Sequence, residues 1–264
     1  EIDELMHIFS VFKSHTKELF IVNRSNALAR QLSVNSKNDF DINVDSEAGY
    51  KSAGFTQNGL AISFMINGVD FTLNTVGKHN MENALAAVAV ANQVGVDLST
   101  CAAALKNYEG IYRRHQLLGV KNGVYVIDDY AHNPAKCAAS IEACKYIAPK
   151  VIAWFQPHGY TPTKFLRNDF VQEMAVVLRP EDEIWMSEIF YAGGTAVKDI
   201  SANDLIDDLK ALGKSAFFVE HRADFFAAAS SHFTGDCVLL LMGARDPSLE
   251  QFAQKIWADL QAAD

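Results

Sequence analysis

From Val124 to the C-terminus the chain repeats one pattern, a short apolar run followed by a longer segment with helical periodicity. The apolar runs are Val151 to Phe155, Glu183 to Met186, Ala216 to Val219 and Val238 to Met242, and helices are expected at about 135–147, 165–178, 202–212, 222–232 and 248–261. A strand that is apolar throughout has both faces buried, and burying both faces takes crossover helices on either side of a mostly parallel sheet. This excludes an all-helical bundle and a one-face-wet antiparallel sheet for this part of the chain. A hairpin, Leu117 to Val120 and Val124 to Ile127 around Lys121-Asn122-Gly123, leads into the pattern. Ligands of such sheets collect at the carboxyl ends of the strands. The residues directly after Ile127, Phe155, Met186 and Met242 are therefore where chemistry is to be sought.

The first hundred residues read differently. Ile2, Leu5, Met6, Ile8, Phe9 and Phe12 have the spacing of an amphipathic helix over 2–15. A β run is expected at Leu19 to Val22, and a helix over Ser25 to Leu32 with Ser25 as its N-cap. Between about Phe40 and Val76 apolar residues alternate around turn signals at Asn58-Gly59 and Asn67-Gly68, which predicts a small antiparallel meander. Helices then follow over Asn80 to Val94 and Ser99 to Asn107. Tyr108-Glu109-Gly110 ends the helical pattern, so the boundary is placed there, with domains at 1–110 and 111–264.

Length and composition, 264 residues with 49% hydrophobic and 21% charged side chains, fit globular structure over disorder. A net charge of −9 argues against nucleic acid or an anionic membrane surface as the main partner, because phosphate recognition takes a basic face. Cys101, Cys137, Cys144 and Cys237 form no close pair, which indicates buried thiols and neither a disulfide framework nor a zinc ribbon. The longest apolar stretch, around Ala84 to Ala91, is too short to span a bilayer, and Glu1 to Glu4 is acidic where a secretory leader is basic. A cytoplasmic location is expected.

Four clusters carry chemistry. In Gly77-Lys78-His79-Asn80-Met81-Glu82-Asn83, at a helix start, Asn80 and Asn83 serve either as caps or as amides for a nucleobase edge. Arg113-Arg114-His115, at the domain junction, is either a solvated charge pair or a guanidinium clamp for phosphate. Asp128-Asp129-Tyr130-Ala131-His132-Asn133-Pro134 follows a buried strand, and polar groups this dense at a strand end suit ribose hydroxyls, a cation or a moving proton better than a mere turn. Phe155-Gln156-Pro157-His158-Gly159-Tyr160-Thr161-Pro162-Thr163-Lys164 again follows a strand.

The order GKHNMENALAA, YRRHQ, IDDYAHNP and FQPHGYTPTK resembles the Mur ligase family, most closely its alanine-adding branch. The resemblance implies the α/β remainder of a central ATPase domain at 1–110, followed by a C-terminal Rossmann-like domain with a mostly parallel sheet flanked by helices at 111–264. It implies an ATP-dependent ligase of peptidoglycan precursor synthesis, in which a carboxylate of a UDP-N-acetylmuramate-type sugar nucleotide is phosphorylated and the amine of an amino acid, L-alanine by the motif match, attacks the acyl phosphate. By motif position, His79, Asn80 and Asn83 would lie at the base, Arg114 at the ATP phosphates, and Asp128 or Asp129 at the ribose. Tyr130, His132 and His158 would face the incoming amino acid, with His132, His158 and Arg114 as the catalytic set and Lys164 the nearest cation. The Mg2+ ligands are expected elsewhere in the central domain, and no metal ligand is assigned within these residues.

This chain departs from that pattern in places. No G-x-x-x-x-G-K-[ST] phosphate loop occurs in the 264 residues, so the chain by itself is expected not to turn over ATP. Gly159 and Pro162 stand where alanine-adding relatives carry arginines, and Asn133 where they usually show a second histidine, which points to a different acceptor or a different carboxylate anchor. The Ile189-Phe190-Tyr191-Ala192-Gly193-Gly194 loop either closes over the site or is an ordinary glycine turn. Met242-Gly243-Ala244-Arg245-Asp246 either favours an anion or caps a helix through Asp246. Competing readings are a murein tripeptide recycling ligase, a nucleotide-binding module without ligase chemistry, and a scaffold. The module is weakened by the lack of a G-x-G-x-x-G turn after any strand, and the scaffold leaves the polar strand ends unexplained.

Overall fold

A computed structural model describes residues 2–263; Glu1 and Asp264 lie outside the described residues. The chain divides into two compact units between Glu109 and Gly110.

The first unit opens with α1 (Ile2–His15), which buries none of its residues, and α2 (Ala27–Gln31). A four-stranded sheet follows, β1 (Phe40–Asp41), β2 (Tyr50–Asn58), β3 (Ala61–Ile66) and β4 (Val69–Leu73), in sequential order. β2 to β4 form the expected antiparallel meander, while β1 joins β2 in parallel. Alternation sends Ile62, Phe64 and Ile66 to one face, where α3 (Lys78–Gln93) covers them with Met81, Leu85 and Val88. α4 (Leu98–Lys106) closes the same core through Cys101.

Two local expectations are corrected here. Leu19 to Val22 forms no strand; its backbone is tied down by a side chain instead, with Val22 N donating to the buried Asp39 carboxylate at 3.0 Å, and only Asn23 bridges Phe40. Asn26, not Ser25, caps α2, its amide oxygen accepting from Leu28 N and Ala29 N. Ser25 Oγ is committed to the β1 segment, donating to Asp41 at 2.8 Å and accepting from Ile42 N at 3.1 Å.

The second unit is the strand–helix alternation. Its elements are β5 (Gln116–Lys121), β6 (Val124–Asp129), α5 (Pro134–Cys144), β7 (Lys150–Gln156), α6 (Tyr160–Val177), β8 (Glu183–Met186), α7 (Ala202–Ala211), β9 (Ala216–Phe218), α8 (Phe225–Ala229), β10 (Cys237–Gly243) and α9 (Leu249–Ala262). The sheet order is β5-β6-β10-β7-β8-β9, and every pairing is parallel except the β5–β6 hairpin. The last strand thus inserts between β6 and β7, and strand order reverses at that point. β7 and β10 are buried nearly along their whole length, as near-continuous apolar runs require. On one face Trp154 packs with its ring 4.4 Å from Phe252 of α9; on the other Phe155 stacks on Phe170 of α6 at 4.9 Å.

The helix expected from residue 165 begins at Tyr160, so Thr161, Pro162, Thr163 and Lys164 form its first turns. Pro162 is tolerated there because the first N–H groups of a helix have no intrahelical acceptor. The helix expected over 222–232 holds α geometry only at Phe225–Ala229, flanked by two 3-10 turns, with the buried Phe225 and Ala229 four residues apart as its anchor.

β5 carries a close approach. A Cβ at Gly119 would sit 2.2 Å from the Trp257 ring of α9. Gly119→Ala must push that indole off the sheet, so a loss of about 1–3 kcal/mol is expected in urea unfolding; an unchanged midpoint would show that α9 shifts freely.

Candidate active site at the carboxyl ends of three parallel strands

β6, β10 and β7 end side by side, and Met242 of β10 pairs with both Asp129 of β6 and Phe155 of β7. The segments that leave these strands therefore meet in the crevice where strand order reverses, the place where doubly wound sheets bind ligands.

From β6 come Tyr130 and His132. The His132 ring lies 5.7 Å from the Tyr130 ring, and its Nδ1 is 2.9 Å from the Tyr130 carbonyl. Asn133 then caps α5, accepting from Lys136 N at 3.0 Å, with Pro134 at the first helical position, so the turn after His132 is rigidly set. From β7 comes His158, whose ring is 5.9 Å from that of His132. Gly159, at φ 73°, lets the chain turn from strand end into α6, and Gly159 N donates to the Phe190 carbonyl at 2.9 Å. Burial first, then the charges of His132 and Arg245, hold His158 below the ordinary imidazole range. It is accordingly neutral at pH 7 and able to accept a proton. Its Nδ1 is buried without a hydrogen-bond partner.

Asp128 and Asp129 do something else. Arg113 donates to Asp128 through Nε at 2.9 Å and Nη2 at 3.2 Å, and Nη2 also donates to the Gly243 carbonyl at 3.1 Å. Burial pushes the Asp128 carboxyl up even against that guanidinium. Asp129 accepts from His115 N at 2.8 Å and Ala131 N at 2.7 Å, and His115 Nδ1 lies 3.0 Å away. Burial alone would raise Asp129 and lower His115. The ion pair and its hydrogen bonds outweigh that, so Asp129 stays below the usual carboxylate range and His115 is pushed up to about 10. Asp128 and Asp129 are 3% and 4% exposed, and their bonds clamp the 113–115 segment onto the end of β6. Arg113 and His115 both take positive φ, 53° and 47°, which the two buried pairs hold in place.

Arg114 is left outward. Its guanidinium is exposed and lies 5.3 Å from the centre of the Tyr130 ring, as does that of Arg113. Lys164, expected as the nearest cation, is instead paired with Asp199. The Gly193-Gly194 loop is exposed, and Phe190 just before it bridges His158. Asp246 accepts from Ser248 N at 2.9 Å and pairs with Arg222, while Ser248 stands at the N-cap of α9.

Within the first unit, Asn80 Nδ2 donates to the Val76 carbonyl at 2.8 Å and to Thr75 Oγ1 at 3.1 Å, and lies 3.2 Å from His79 Nε2. Asn83 Nδ2 donates to Asn80 Oδ1 at 3.3 Å. His79, Asn80 and Asn83 are thus brought together at the start of α3, with the Asn83 side chain exposed. Among the described residues no group of three or more His, Cys, Asp or Glu side chains is placed to hold a metal ion. Among the described residues no helix is long and apolar enough to cross a membrane.

Residues 113–245, just over half of the chain, match the model of the Mur ligase, glutamate ligase domain. The chain belongs to the Mur ligase family. Among curated Mur ligases it is 34% identical over 181 residues to the UDP-N-acetylmuramate–L-alanine ligase of Acidithiobacillus ferrooxidans, covering 68% of this chain and 38% of that one. It is 30% identical over 211 residues to that of Legionella pneumophila, covering 75% and 44%. The chain thus spans about two fifths of the length of these relatives. Its fold matches the crystal structure of UDP-N-acetylmuramate–alanine ligase from Thermotoga maritima, with a TM-score of 0.77 at 24% identity, over 100% of this chain and 56% of that one. A murein peptide ligase from Psychrobacter arcticus matches with a TM-score of 0.60 at 17% identity, over 100% and 57%. All four motifs that carried the resemblance in the sequence therefore belong to a Mur ligase. Arg245 lies in the Met242-Gly243-Ala244-Arg245-Asp246 segment singled out in the sequence; it is exposed and takes φ 71°, a conformation that appears only in the folded chain.

Proposed function

We propose that this chain is the acceptor-side portion of an ATP-dependent carboxylate–amine ligase of peptidoglycan precursor synthesis, acting in the cytoplasm on a UDP-N-acetylmuramate-type sugar nucleotide and an amino acid. In the whole enzyme, transfer of the ATP γ-phosphoryl group to the sugar-linked carboxylate makes an acyl phosphate. The acceptor amine attacks its carbonyl carbon, and phosphate leaves as the C–N bond forms.

One observation carries this reading: His132 and His158 stand 5.9 Å apart at adjacent strand ends, with Tyr130 and the exposed Arg114 beside them. An amino acid arrives as an ammonium ion and must lose a proton before it attacks. Neutral His158 is the group suited to take that proton, a role worth about 10²–10⁴ in rate. His132, oriented by the Tyr130 carbonyl, faces the same space, and Tyr130 holds the Arg114 guanidinium over its ring. Arg114, free of any ion pair among the described residues, suits an ATP phosphate. His79, Asn80 and Asn83 suit the base edge, with Asn83 the exposed amide of the three. Mg2+ neutralises phosphate charge in such a reaction, and its ligands fall outside the residues assigned here.

The test is a phosphate-release assay on the full-length ligase. Turnover dependent on both the sugar nucleotide and an amino acid is expected, reduced about 10²-fold or more by His158→Ala. Arg114→Ala is expected to raise the ATP requirement without unfolding the protein. ATP hydrolysis that ignores both acceptors, or a His158→Ala enzyme of ordinary rate, would overturn the proposal. NAD binding without ATP binding would favour the dinucleotide module.

A further inference from the structure

Arg222, in the turn after β9, reaches the ends of two other strands. Its Nη1 donates to Gln156 Oε1 at 3.0 Å, at the end of β7, and pairs with the Asp246 carboxylate after β10. Its Nη2 donates to Ser248 Oγ at 2.5 Å. Gln156 is 8% exposed and the Asp246 side chain 5%, so water is a poor substitute for the guanidinium at either. The rigid fork of an arginine, all donors and no acceptor, lets one side chain hold these partners at once.

Gln156 stands two residues before His158. Its Nε2 donates to the Glu188 carbonyl at 3.0 Å. A guanidinium only donates and a carbonyl only accepts, so one orientation of the Gln156 amide satisfies both. The Glu188 segment is itself anchored, its carboxylate accepting from Ile189 N at 2.7 Å, Ala202 N at 3.1 Å and Ser201 Oγ at 2.5 Å. Phe190 N then donates to the Pro157 carbonyl at 2.8 Å, and the Phe190 carbonyl accepts from Gly159 N at 2.9 Å. His158 is therefore held through its chain neighbours on both sides. Its ring has no anchor at Nδ1, which is buried without a partner, whereas His132 Nδ1 lies 2.9 Å from the Tyr130 carbonyl. Where the His158 imidazole points thus follows from where the end of β7 is held. Arg222 is not among the described residues that line the apolar cavity shared by His132 and His158, so its reach to the site runs through Gln156.

We infer that Arg222 is a positioning residue for His158: by gripping Gln156 and Asp246 together it fixes the end of β7 against the end of β10, and with it the imidazole. The inference rests on the ligase reading above. A proton acceptor displaced by about an ångström loses rate steeply, so the effect belongs in kcat and not in nucleotide binding.

The test measures kcat on the full-length ligase with all substrates saturating, and the His158 imidazole NMR signals on the 264-residue chain. Arg222→Gln is expected to lower kcat about tenfold or more. KM for ATP is expected to stay within about twofold, the split that marks an interaction outside nucleotide binding. Gln156→Leu leaves the Arg222–Asp246 pair intact and is expected to lower kcat by a similar factor, which keeps the inference testable should Arg222→Gln fail to fold. Both are expected to move the His158 signals. Added to His158→Ala, neither is expected to lower kcat further, because groups that act through one residue are not additive.

Arg179→Gln is the matched control. It breaks a buried pair at the amino end of the same sheet, where Arg179 donates to Asp182 through Nε and Nη2 at 2.9 Å each and Asp182 accepts from Val151 N at 2.8 Å. This variant is expected to melt at a lower temperature and to keep the parental kcat and His158 signals. Parental kcat in Gln156→Leu or in a folded Arg222→Gln, an equal loss in Arg179→Gln, unmoved His158 signals, or a further fall in the His158→Ala background would overturn the inference. The two levels separate. Activity lost in His158→Ala but kept in Arg222→Gln and Gln156→Leu sinks the inference alone, whereas a His158→Ala enzyme of ordinary rate sinks the ligase reading and leaves the NMR comparison to decide whether Arg222 holds the ring.

Discussion

Arg113→Ala is expected to cost the second unit about 3–5 kcal/mol, because it leaves the Asp128 carboxylate buried without its partner. The Asp128 side chain is 5% exposed and that of Arg113 10%, so water cannot replace the guanidinium. The same substitution also orphans the Gly243 carbonyl at the end of the central strand. Domains hold only about 5–15 kcal/mol in total, so the variant is expected to unfold at a much lower urea concentration with a similar slope. A paired change, Arg113→Met with Asp128→Leu, is expected to recover most of the loss, since apolar replacement of both members removes the stranded charge. A loss under about 1 kcal/mol for the single variant would mean that solvent reaches Asp128.

The second large effect is a pH profile. His115 is raised from an ordinary 6.5 to about 10, so its contribution is complete below pH 6.5 and declines as pH rises toward 10. Asp129 is lowered from 3.8, so its contribution is present above that value and is lost as pH falls below it. The pair therefore stabilises most between about pH 4 and 6.5. Asp129→Asn is expected to cost about 3–5 kcal/mol in that window, with the gap to the wild-type chain narrowing toward pH 10. Urea unfolding of both proteins across the range isolates the pair, because all other titrating groups are shared. A gap that widens above pH 6.5 would show that His115 is buried neutral.

Strand positions in the second unit were readable because apolar runs such as Val238 to Met242 have no other way to bury both faces. Helix starts were less so. α6 begins at Tyr160 because the turn at Gly159 and its bond to the Phe190 carbonyl release the chain early, and that acceptor comes from a loop thirty residues away. Leu19 to Val22 has strand-like residues but spends its hydrogen bonds on Asp39 and Phe40. Intrinsic preference loses to a specific long-range partner in both cases.

The site divides along the same line. Tyr130, His132 and His158 were legible as polar residues placed directly after apolar strands, a placement that has meaning in one dimension. What the two aspartates do was not legible, since a carboxylate at a strand end looks the same whether it meets a ligand or an arginine from the preceding turn.

Residue order alone determined the class of fold, the boundary near residue 110 and the family, because burial of apolar runs and the spacing of polar motifs are local properties. Tertiary structure alone decided that β10 inserts between β6 and β7. That insertion sets the end of β10 between the strand ends that lead to His132 and His158, which share an apolar cavity. Pairing between distant strands is set by how all the elements pack at once, and no stretch of the chain carries that information by itself.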